Sequence, residues 1–77
     1  MNITEASKAL FVALAEDAGN WGGTPLLGGN VDITKEERGN LTQLKQVGLL
    51  TTFTDEGTWV DFTDAGKAYA LELGIEI

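Results

Sequence analysis

The groups in this 77-residue chain able to do chemistry are carboxylates, amides, a few cations and two tryptophans. Asp55, Glu56, Asp61 and Asp64 fall close together. Paired carboxylates serve as acid and base in glycoside hydrolysis, but they need a cleft. A domain this small rarely has one. Calcium needs alternating oxygen ligands and a Glu at a fixed distance, and that spacing is absent. The chain has no His and no Cys, and Ser7 is its only serine. A Ser-His-Asp triad, a thiolate nucleophile and a zinc-thiolate centre are therefore excluded within one chain. The run Gly22-Gly23-Thr24-Pro25-Leu26-Leu27-Gly28-Gly29 lacks both the Gly-Lys-Ser/Thr ending of a phosphate loop and the dinucleotide spacing. The expectation is a non-enzyme with no cofactor and no metal. What remains is recognition: Arg38 and Lys45 for anions, Asn40, Gln43 and Gln46 for hydrogen bonding, and Trp59 as an interface anchor.

Three phrases supply the elements that would carry these groups: Ile3-Thr4-Glu5, Ile33-Thr34-Lys35-Glu36-Glu37 and Phe62-Thr63-Asp64. Each sets an apolar residue before a threonine, with acid soon after. A threonine hydroxyl accepts from an orphaned N–H at a helix start, and acids suit the positive end of the dipole. Thr34 and Glu37 have capping-box spacing. The first helix is expected over 4–18, with Leu10, Phe11, Leu14 and Ala18 on its apolar stripe and Gly19 as its stop. A glycine-rich loop follows at 19–33, in which Leu26-Leu27 could form a very short strand and Trp21 reads as a core plug. Helical character returns over 34–47 and ends at Gly48, with Leu41, Leu44 and Val47 as its buried edge. Gly39 and Asn40 favour two helices joined by a tight turn over one bent helix.

Leu49 to Phe62 reads as a hairpin turning at Asp55-Glu56-Gly57. Loop parity decides its faces. A two- or four-residue loop groups Phe53, Val60 and Phe62 and turns Trp59 outward with Asp61; a three-residue loop pairs Phe53 with Trp59. The first gives the more coherent core and is favoured. For Trp59 itself, packing at the core edge and an outward interface both stay open. The last helix is expected over 64–73, with Ala65, Ala68, Leu71 and Ile75 on its apolar side and Gly74 at its end.

The order is helix, loop or short strand, helix-turn-helix, hairpin, helix. It resembles a winged-helix domain of α+β class, with three or four helices and a two-stranded wing, over residues 34–73. The segment from Asn40 to Leu50 resembles a recognition helix entering a wing. The segment from Trp59 to Ala68 is similar to the strand, Thr-x-x-Gly turn and final helix of MarR-like regulators. Small proteins of bacteriophages and mobile elements often share this look. The resemblance implies a DNA-binding regulator whose helix enters the major groove while the wing meets phosphate. Carried over, the contact positions are Arg38, Asn40, Thr42, Gln43, Lys45 and Gln46.

Charge points elsewhere. The chain carries −7 at pH 7, with a sequence pI near 4.2. Residues 31–50 are neutral, whereas 51–77 set Lys67 against six acids, giving −5. A phosphate-gripping wing wants Lys or Arg, and this tip is Asp55-Glu56. The expected function is therefore a small regulatory module acting mainly through protein contacts on transcription or other DNA machinery. Its expected interface is Phe53, Asp55, Glu56, Trp59 and Asp61, facing a basic protein partner. DNA binding through 34–47 is the alternative, and mimicry of DNA by the acidic face is the third possibility. A monomer or homodimer fits equally. No signal peptide or membrane-length apolar run is visible, so a cytoplasmic location with no membrane partner is expected.

Overall fold

A computed structural model describes residues 3–29 and 31–77, so Met1, Asn2 and Asn30 of the glycine-rich stretch lie outside the described residues. Among those described there are three helices, α1 (Glu5–Trp21), α2 (Lys35–Gln46) and α3 (Asp64–Glu72). Three strands, β1 (Leu26–Leu27), β2 (Leu50–Thr54) and β3 (Thr58–Phe62), form one antiparallel sheet in the order β1-β3-β2. The domain is thus α+β, and its sheet has three strands rather than the two of a hairpin. Leu26 pairs with Trp59 and Leu27 with Thr58.

All three threonines cap their helices. Thr4 accepts from the Ser7 N–H, Thr34 from Glu37 and Thr63 from Gly66. Glu37 returns the bond to the Thr34 N–H, completing the capping box. Helix ends follow the glycines that take positive φ. Gly22 (φ 96°) closes α1, and Gly74 (φ 82°) follows α3. Gly48 (φ 81°) follows α2, where the Leu49 N–H reaches back to the Leu44 carbonyl at 3.1 Å.

Several expectations need correction. Gly19 does not stop α1, which runs through it to Trp21. Trp21 plugs no core; it is 77% exposed. Gly39 does not divide 34–47: α2 is one helix. Asn40 therefore lies in its interior, and the site holds no helix-turn-helix within 34–47. The hairpin loop has three residues, because Thr54 pairs with Thr58, so Phe53 faces Trp59 and not Val60. Val47 is partly exposed as the C-cap of α2. On α3 the buried positions are Gly66 and Ala70, with Leu73 half-buried, whereas Ala65 and Ala68 face out and Leu71 is 65% exposed.

The core sits between α1 and the inner sheet face. Leu10, Phe11, Leu14, Ala15 and Ala18 of α1 meet Leu41 and Leu44 of α2, Leu49, and the inner-face residues Leu50, Val60 and Phe62. Phe11 is its hub, edge-on to Phe62 with centroids 5.7 Å apart and tilted against Tyr69 at 5.0 Å. Ser7 is the buried polar residue of the core. Its hydroxyl accepts from Thr4 Oγ1 at 3.1 Å and reaches Asn40 Oδ1 at 3.4 Å.

The chain returns from β3 to α3 through a very close approach. The Thr63 N–H donates to the Leu49 carbonyl at 3.2 Å and its hydroxyl to the Gly48 carbonyl. Gly66 then lies directly on Leu49: a Cβ there would overlap the Leu49 carbonyl oxygen and sit 2.9 Å from its carbon. Only glycine fits. At the other side of the sheet β2 is an edge. The bonds from Thr63 to Leu49 and from Asp55 to Gly57 bracket the ladder, so Thr51 and Phe53 bond to β3. The N–H and C=O groups of Thr52 and Thr54 point off the open edge, whereas Leu50 at its start is buried.

Candidate functional site

Strand alternation builds the outer sheet face. Residues paired across an antiparallel ladder share a face. Leu50–Phe62 and Thr52–Val60 look inward; Thr51–Asp61 and Phe53–Trp59 look outward, with Leu26 beyond Trp59. The three-residue loop therefore brings two aromatics of the expected interface side by side. Phe53 is 44% exposed, and Trp59 is half-buried.

Trp59 is also fixed. Its indole N–H donates to the Asp55 carbonyl at 2.8 Å, which ties the ring to the hairpin turn. The turn carries Glu56 at φ 54°, in the left-handed region, and Gly57 at φ 151°. Leu26 packs against this turn so closely that a Cβ on Gly57 would stand 2.9 Å from its Cδ1. Asp55, Glu56 and Asp61 are exposed, and Asp61 accepts from the Phe62 N–H at 3.0 Å. Neither the strands nor the turn contain Lys or Arg. All five residues of the expected interface thus occupy one face and its tip.

The six α2 positions separate. Asn40 and Gln43 turn inward, toward the start of α1. Gln43 Oε1 accepts from the Thr4 N–H at 3.0 Å, and Asn40 meets the Ser7 hydroxyl. These amides hold α2 to α1, and their side-chain oxygens are already engaged. Arg38, Thr42, Lys45 and Gln46 are exposed, and the Thr42 hydroxyl bonds the Arg38 carbonyl at 3.0 Å. Lys35, which sequence reasoning passed over, joins them. Lys35, Arg38, Thr42 and Lys45 follow i, i+3, i+7, i+10 spacing and form one stripe. That stripe holds three of the chain's five cations and no acid.

Trp21, expected as a core plug, is the other residue whose place changes. Seen as the last residue of α1 rather than part of a loop, it belongs on the surface, where it borders the same groove as Trp59. The signal lay in Gly22, a glycine three positions past Gly19 that can equally end a helix.

Among the described residues no helix is long and apolar enough to cross a membrane, and no three metal-binding side chains converge. Comparison with protein-family models, curated proteins and solved structures found no match to the chain.

Proposed function

We propose that the chain is a non-enzymatic regulatory module of winged-helix type that binds a basic protein partner through the outer face of its sheet. The observation that carries this is the pairing of Phe53 with Trp59 on a face whose only charges are acidic. Aromatic anchors ringed by polar residues are the usual energetic centre of an interface, and complementary charge steers the encounter. The β1-β3-β2 sheet with helices before and after it supports the winged-helix reading, in which β2 and β3 form the wing. A wing tipped by Asp55 and Glu56 repels phosphate and attracts lysine and arginine. Transcription or other DNA machinery, rich in basic surfaces, is the setting we favour.

A photo-crosslinking residue at position 53 tests this in host extract. The expected result is one discrete adduct that survives nuclease and disappears in Asp55→Lys/Glu56→Lys, whose exposed side chains leave folding intact. An adduct pattern unchanged by that double reversal rules the reading out.

The α2 stripe favours a second reading, direct contact with nucleic acid through Lys35, Arg38 and Lys45. Three phosphate contacts would give binding that falls with salt at a log–log slope near −3. A gel shift across a salt series, lost in Arg38→Ala/Lys45→Ala, would establish it; absence of binding at low salt would remove it.

A further inference from the structure

A groove beside the C-terminal end of α1 has an unusual lining. Trp21 and Trp59, the chain's two tryptophans, border it together with Asp17, over a floor of backbone from Gly22 to Thr24. Its volume is about 150 Å³, small enough for the end of one side chain and too small for a folded element. Trp21 is 77% exposed although it is the largest side chain in its neighbourhood. The chain gains nothing in core packing by placing it there. Trp59 is locked by its bond to Asp55, so its ring needs no ordering when a ligand arrives. Gly22 and Gly23, at φ 96° and 107°, contribute no side chains to the floor.

Two tryptophans and an aspartate bordering one groove are the residue types of cation recognition. An arginine guanidinium or a lysine ammonium is attracted by the negative face of an indole, most strongly by tryptophan. A carboxylate adds a charge-assisted bond, and a guanidinium also stacks flat on a ring. Among the described residues no cation lines the groove. The acids nearby, Asp55, Glu56 and Asp61 on the adjoining sheet face, lower the potential further.

We infer that the Trp21–Trp59 groove, with Asp17, receives a single arginine side chain from the partner. This rests on the proposed docking of a basic protein at the sheet face and assigns the specificity point of that interface. The partner's segment crosses the outer sheet face, covers Phe53, and inserts one guanidinium between the two indoles. Asp17 faces the guanidinium edge.

The two indole N–H signals in a nitrogen–proton correlation spectrum report the groove directly, and Trp21→Ala assigns them. The probe is acetyl-Gly-Arg-Gly-amide, set against the same peptide with citrulline, which keeps the shape and loses the charge. The expected result is that both indole signals move together along one saturating curve with the arginine peptide and stay in place with citrulline. Asp17→Asn should weaken the interaction about three- to five-fold, the size of an exposed cation–π or ion-pair contribution. Movement of Trp59 alone overturns the groove and leaves the sheet-face reading standing. Equal movement with citrulline overturns arginine selectivity. No movement of either signal also overturns the groove, and the crosslinking at position 53 then judges the sheet face independently.

Discussion

Replacing Gly66 with alanine should destabilise the domain even though alanine is the better helix former. Gly66 lies in the first turn of α3, and in an open helix the change would gain up to about 1 kcal/mol. Here the new Cβ overlaps the Leu49 carbonyl, a backbone group that no rotamer change can move. Relief requires sliding the start of α3 off the entry to β2. That motion strains the Thr63 N–H bond to Leu49, the Thr63 hydroxyl bond to Gly48, and the cap bond from the Gly66 N–H at 3.0 Å. Overpacking costs about 1–3 kcal/mol, and the partial loss of these three hydrogen bonds about 2 in all. Set against the helix gain, the net loss is roughly 2–4 kcal/mol. A 77-residue domain has about 4–12 kcal/mol in total, so the variant keeps a fold but little margin. With a urea slope of about 1 kcal/mol per molar, the midpoint should fall by about 2–4 M. Gly39→Ala is the matched control. Gly39 lies inside α2 with nothing within 4 Å of an added Cβ, so stability should rise by about 0.5–1 kcal/mol. A Gly66→Ala variant as stable as its parent, or stabilised like Gly39→Ala, would refute the close approach.

Two further outcomes follow from local geometry. Asn40→Ala with Gln43→Ala should cost about 1–2 kcal/mol by calorimetry, through the lost bonds to Ser7 and Thr4, and should leave any gel shift in place. Glu56→Gly should raise the melting temperature by several degrees, since a non-glycine residue at φ 54° carries about 1 kcal/mol of strain.

The helix starts were legible because capping is local chemistry: Thr4, Thr34 and Thr63 announce themselves within four residues. The helix ends were less so, since a glycine's identity does not reveal its φ. Gly19 and Gly39 stay helical, and Gly22 and Gly48 do not. The face of α3 was misjudged for a related reason. Apolar bulk favoured Ala65, Ala68 and Leu71, but the Leu49 backbone admits only the Gly66–Ala70–Leu73 side. The short strand at Leu26-Leu27 was legible, but its pairing into the sheet was not, because its partner lies more than thirty positions away. For the expected interface, residue types were readable but their grouping was not: a single residue of loop length moved Phe53 from the core to Trp59. Trp21 entered the surface only once α1 was seen to continue past Gly19.

The open edge of β2 has a consequence for how the protein behaves in bulk. Its sequence, Leu-Thr-Thr-Phe-Thr, has strong β-propensity and contains no charge and no proline, the devices by which edges are normally guarded. What keeps neighbouring molecules off the Thr52 and Thr54 backbone is long-range repulsion between chains of charge −7. Near the sequence pI of about 4.2 that repulsion vanishes while the strand is unchanged. Dispersed chains then become sticky along one line, able to stack edge to edge into ribbons with the 4.7–4.8 Å spacing of cross-β order. Colloidal stability in this molecule is therefore a matter of acidity and salt, not of fold.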